Sequence, residues 1–329
     1  MIQTLRRWAF EPIDTAPIAA LRIACGLLVL GWTLSLLPDA QAFLSHTGVT
    51  PTAPGGSAGY WTLPIGSPYG ILALLAVAAV VLTVGWHTRV VSVLVAVLLV
   101  VVQRRSPYML NSGDQLLRDL ALFLALMPAG ETWSLDARRR AGRLRSPWGL
   151  RLLQLQISIL YLFSVTAKLG GPIWQGGGAV GMSLQLGDLQ RIVIPQSLDA
   201  SVTFSAILTY GTLFAEAFLV VGLWIPKTRW YAMAAGLGIH LGIEATLLIG
   251  WFSLTILSCY LAFIPADVLR LVVDRVAERW GQTTLYRRLR PPPPPPVRKK
   301  QPAARNGRRP ASRPAARPAS PARRPARRR

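Results

Sequence analysis

Acid is scarce in this chain: 329 residues hold 14 Asp or Glu against 36 Lys or Arg, and only 15% of all residues are charged. So little charge, beside 52% apolar residues, excludes a large soluble enzyme with a solvated surface and points to a membrane protein. Cysteine and histidine are scarcer. Cys25 and Cys259, the two cysteines, both sit in apolar runs and read as buried thiols, with no disulfide framework or metal site to build. The three histidines, His46, His87 and His240, lack the H-x-x-x-H or Cys/His spacing of a zinc site. Gly176 to Gly178 follow an apolar helix and precede no GK[ST], so they are no phosphate loop; glycine there permits a tight turn. Nothing resembles a nucleophile elbow.

What the chain has is long apolar runs. Eight are expected to cross a bilayer: Pro17 to Leu37, Tyr69 to Trp86, Val90 to Val102, Leu116 to Pro128, Leu152 to Lys168, Thr203 to Ile225, Trp230 to Ile249 and Trp251 to Val273. The third and fourth are short and need tilt or flanking residues. The fold class is therefore all-α, a polytopic transmembrane bundle at 17–275, preceded by a short segment at 1–16. A secretory leader is not expected, because the first run contains Arg22 and follows two acids.

Loop charge sets the orientation. Arg6, Arg7, Arg89, the Arg138 to Arg145 cluster, Lys227 and Arg229 fall on one side, which becomes cytoplasmic together with both termini, in an integral protein expected in the plasma membrane. Pro38 to Pro68 carries no Lys or Arg, as suits the opposite side. One loop breaks the pattern: Arg104, Arg105 and Arg118 accompany Asp114 and Asp119 on the outer side. Either these charges form a site or one span is missing from the count.

Ionisable residues inside apolar runs need partners. Lys168 ends the fifth run just before Trp174, and is either a snorkelling helix-end anchor or a functional amine facing an enclosed cavity. Glu216 falls near mid-membrane; His240 and Glu244 lie one turn apart on one face. Each is either a helix-to-helix hydrogen-bonding group or part of a site.

The C-terminal region divides into a juxtamembrane amphipathic segment at 276–290 and a tail at 291–329. The tail opens with six prolines, a polyproline spacer of about 19 Å, and residues 297 to 329 carry 13 Lys or Arg and no acid, leaving +9 for the rest of the chain. It is expected to stay disordered and to attract anionic lipid headgroups. Nucleic acid is the less favoured partner, since no aromatic residues interleave for base stacking.

The strings NSGDQLLRD, LQISILYLFSVTAKLGGPIWQGGGA, FAEAFLVVGLWIPKTR and IHLGIEATLLIGWFSLTILSCYLAFIP, with Arg22 early in the first run, resemble the HTTM (horizontally transferred transmembrane) domain over roughly residues 10 to 275. That family includes the membrane part of vitamin K-dependent gamma-glutamyl carboxylase. The resemblance implies a reduced quinone as cofactor, Lys168 as its base and His240 as a second catalytic group. Asp114, Arg118, Arg105, Trp174, Glu216 and Glu244 become candidates for binding or proton relay. The carboxylase also carries a large soluble lumenal domain for its protein substrate, for which no stretch of this sequence has room, so protein gamma-carboxylation is not expected. The alternative is a non-catalytic envelope, immunity or transport factor in which the same groups only hold helices together.

Overall fold

The computed structural model describes residues 2–45, 48–49, 67–105, 110–139 and 144–279. Most of the loop at 38–68 and the whole basic tail, with its expected disorder and lipid contacts, lie outside the described residues. Within them the chain is mostly helical, with one two-residue antiparallel pairing, β1 (Ile13–Asp14) with β2 (Leu144–Arg145).

In chain order the helices are α1 (Ile2–Phe10), α2 (Ala16–Ser35), α3 (Ala40–Leu44), α4 (Pro68–Val84), α5 (Thr88–Arg105), α6 (Ser112–Leu126), α7 (Trp148–Leu169), α8 (Pro172–Gln175), α9 (Ala179–Leu184), α10 (Gln196–Asp199), α11 (Val202–Gly222), α12 (Arg229–Thr246), α13 (Phe252–Cys259) and α14 (Ala266–Arg279). Three of them, α2, α7 and α11, are long and apolar enough to cross a membrane; α4 is apolar but has 17 residues. The expected eighth run is not one straight helix. Pro265, which lacks an N–H and disfavours helix at the residue before it, divides the run into α13 and α14, bent by 114° across the break. Counted as one span, the pair raises the number to four.

Local chemistry explains the boundaries. Ser67 accepts from the Tyr69 amide and Pro68 opens α4, while the left-handed Gly85 closes it. Ser201 caps α11 by accepting from Phe204. Asn111 and Asp114 form a reciprocal capping box at the start of α6.

The core gathers on α2. Its Ile18, Leu21, Cys25, Val29 and Trp32, at helical spacing, are buried among α4, α6 and α13. Gly26 lets α2 and α4 come together: a Cβ there would stand 2.2 Å from Thr83 Oγ1 and 2.9 Å from the Ala79 carbonyl. Cys25 and Cys259 are free thiols in this core. By contrast, α7 buries Leu153, Ile157, Tyr161 and Val165 while exposing Leu152, Leu155, Ile159, Leu162 and Phe163. A helix apolar on its exposed face as well as its buried one is built for lipid.

The two ends of the bundle differ. One end joins α1, β1, β2, the 127–139 loop and α14: Trp8 packs on Trp224, Arg151 covers Trp8, and Arg270 grips Asp14 through two hydrogen bonds of 2.9 and 2.6 Å. The other end joins α6, the turn at Ile249 and Gly250, and the segment at 185–191, where Arg191 and Leu248 exchange backbone hydrogen bonds with Thr246 and Leu189.

Candidate functional site

The site is assembled on one face of α7, where Tyr161, Ser164 and Lys168 recur at helical spacing. The Lys168 ammonium donates to the Glu216 carboxylate of α11 in a short ion pair and to Ser164 Oγ at 2.8 Å. Ser164 in turn donates to the other oxygen of Glu216 at 3.0 Å. Three polar side chains thereby close a ring between two packed helices. The Lys168 amine also lies 5.0 Å from the centroid of the Trp174 ring, a cation–π contact supplied by α8. Glu216 is 8% exposed and Lys168 20%, so the pair is sheltered from water without being sealed. The amine is therefore neither free in solvent nor alone: the partner each buried charge needs is the other.

Roughly two turns down the same face, Tyr161 Oη meets His240 Nε2 at 2.9 Å and Tyr260 Oη at 2.6 Å. His240 is 2% exposed, its ring packs edge-on against Phe252, and its Nδ1 has no hydrogen-bond partner among the described residues. Room for Tyr260 depends on Gly236, one turn before His240 on α12, because a Cβ there would lie 2.1 Å from Tyr260 Oη. Neither tyrosine was among the candidate site residues, although Tyr161 lies in the string that carries the family resemblance. The available signal was that a Tyr in an apolar run still needs a partner for its hydroxyl.

The remaining sequence candidates lie elsewhere. Asp114 takes hydrogen bonds from Trp32 Nε1 at 2.7 Å and from the Asn111 amide at 3.0 Å, serving as a cap and a tie to α2. Arg118 donates to Gln103 and to neighbouring Asp119. Arg105 is buried at the end of α5. Asn111 reaches the Ile249 carbonyl at 3.2 Å, so the charged loop that broke the orientation pattern fastens the far end of the bundle. Glu244 pairs with Arg191 at 2.7 Å. Thus the structure joins Lys168, Glu216 and Trp174, places His240 along the same face, and leaves Asp114, Arg118, Arg105 and Glu244 in structural contacts.

A small hollow of about 150 Å³ opens beside this region between Gly177, Gly181, Met182 and Ser205; Lys168 is not in its wall. No group of three or more His, Cys, Asp or Glu among the described residues is arranged to hold a metal.

Lipid-facing apolar helices joined by sheltered ion pairs define a polytopic membrane protein. The HTTM domain profile matches residues 10–267, most of the chain, and the protein belongs to that family of multi-pass membrane proteins. It is also 25% identical over 161 residues to the uncharacterized protein YitO of Bacillus subtilis (strain 168), an alignment covering 46% of this chain and 52% of YitO. The chain thus spans about half the length of that curated relative. No solved structure matches it.

Proposed function

We propose that the protein is a carboxylase-like membrane enzyme or binder of a reduced, lipid-soluble quinone, with Lys168 as its base. One observation carries this reading: Lys168, Ser164 and Glu216 share one hydrogen-bonded ring on the same face of α7 as Tyr161 and the buried His240. Lipid-exposed residues of α7 and α11 flank the ring, so an apolar ligand would approach without crossing water.

The residues fit such a ligand. His240 Nδ1 is a buried polar atom without a partner, and Trp174 offers a flat apolar ring beside the amine. A reduced quinone, when bound, would supply an ionisable hydroxyl and reducing equivalents. Glu216 holds the ammonium in place and can accept its proton directly or through Ser164, leaving the lone pair on Lys168 Nζ able to take a proton from a hydroxyl. Tyr161 and Tyr260 fix the His240 ring and commit its Nε2 to a hydrogen bond, so Nδ1 is the atom left to orient the ligand.

We further propose eight crossings, one each for α2, α4, α5, α6, α7, α11, α12 and α13 with its continuation, with both termini cytoplasmic and the protein in the plasma membrane. The concentration of Arg and Lys at the end holding α1, β2 and α14 supports this orientation. Reporter fusions after residue 289 test it: an external tag would reverse the assignment.

A second reading, a non-catalytic membrane factor, has its own support: the Lys168 ring is fully satisfied internally, as in a helix-to-helix lock. Lys168→Met separates the two. Loss of bound quinol, or of its dioxygen-dependent oxidation to the epoxide, at normal membrane abundance supports the amine. Loss of abundance, or purified protein with neither ligand nor turnover, supports the lock.

A further inference from the structure

At the opposite end from Lys168, a cavity of about 860 Å³ opens between the start of α5, the 127–138 loop and the start of α7. Arg89, Arg138 and Arg145 reach its wall, with Glu131 and Asp136 as the opposing acids. Both acids are engaged. Glu131 takes Arg145 at 3.1 Å, and Asp136 accepts from the His87 amide, the Thr88 amide and Thr88 Oγ1 at 2.7 to 2.9 Å, capping α5. Among the described residues Arg89 and Arg138 have no carboxylate partner, and both are exposed. Among the described residues, two guanidiniums therefore stand in a concave site without a carboxylate beside them.

The cavity wall also carries exposed apolar side chains. Trp86 and Trp148, 51% and 37% exposed, line it with Val90 and Leu126, and the outer stripe of α5 continues from Val90 through Val93 and Val97. Indole beside guanidinium and hydrocarbon is the arrangement of a membrane interface. A site lined by guanidinium groups and exposed apolar side chains together suits an amphiphile better than a free ion. The chain's own Arg-rich tail is excluded as occupant by its charge.

We propose that this cavity binds the phosphate headgroup of an anionic membrane lipid, with Arg89 and Arg138 as its ligands and an acyl chain lying along the α5 stripe. Arginine suits phosphate because its planar fork donates two hydrogen bonds at once. The leaflet that supplies the lipid follows from the orientation proposed above; the site itself does not depend on the Lys168 chemistry.

The test is native mass spectrometry of the full chain titrated with phosphatidylglycerol, with phosphatidylcholine and with inorganic phosphate, for the natural protein and for R89A/R138A. The expected result is retention of phosphatidylglycerol over phosphatidylcholine, with affinity falling about tenfold or more in the double variant, the scale of losing charge-assisted hydrogen bonds. R89K/R138K should recover part of that loss. The basic tail is present in every sample, so the difference reports the cavity. Equal retention by the variant, no preference between the lipids, or displacement of the lipid by equimolar inorganic phosphate would overturn the proposal. Lys168 is intact throughout, so none of these outcomes bears on the quinone reading.

Discussion

Arg22 and Lys168 are basic side chains of two apolar helices and are held in opposite ways. Arg22 of α2 is 0% exposed and surrounded by backbone carbonyls: Nη1 donates to Ala129 and Thr132 at 3.0 and 3.3 Å, and Nη2 donates to Thr83 and Trp133. Lys168 of α7 is partly exposed and faces a carboxylate and a hydroxyl. Carbonyls cannot take up a proton, so the Arg22 environment fixes a permanent charge and organises the loop around it. A carboxylate can, so the Lys168 environment permits exchange. The same burden, a cation away from water, is solved once as architecture and once in a form open to chemistry.

The largest effect should come from breaking the first solution. Arg22→Leu leaves four carbonyls facing an apolar side chain and should cost about 4 kcal/mol or more, seen as loss of folded protein on thermal melting in detergent. Arg22→Lys should recover little, because one ammonium cannot span the separated carbonyls that the guanidinium reaches.

Next is Gly236→Ala, which drives a methyl into Tyr260 and should destabilise by about 1–3 kcal/mol. Tyr260→Phe in the same chain should relieve part of that cost while detaching Tyr161 from its second partner. A double-mutant cycle showing simple additivity would refute the contact.

The second solution is tested by the cycle of Lys168→Met and Glu216→Gln. Each single change strands a partly buried partner, and the double variant should be more stable than the sum of the singles by about 1–2 kcal/mol. Stability should return in the double variant; ligand binding should not. Recovery of both would make the pair structural.

Smaller still, Asp114→Asn should cost about 1 kcal/mol through the cap of α6, measured by the same melting assay. Arg191→Ala, at an exposed pair, should move the melting midpoint by no more than about 1 kcal/mol equivalent, and less in high salt.

The apolar runs, the family and the need of Lys168 and Glu216 for partners were all legible in the sequence. Their pairing was not, because 48 residues separate them and only the packing of α7 on α11 brings them together. The NSGD string looked like a site because charges on an outer loop violate the orientation rule, yet its Asn-x-x-Asp spacing is also that of a helix cap, which is what it forms. His240 and Glu244 share a helix face, but the end of α12 is where Arg191 arrives and takes the glutamate as its partner. Pro265 was visible in the eighth run; the sharpness of the turn it allows was not.

That turn has a mechanical consequence for the surrounding lipid. The straight part, α13 with the four-residue 3₁₀ turn after it, contains twelve residues and rises only about 20 Å. A hydrocarbon layer is about 30 Å thick. If the bent pair serves as one crossing, the bilayer beside it must thin or its acyl tails must splay, and this sector of the perimeter should collect short-chain lipids that fit the step.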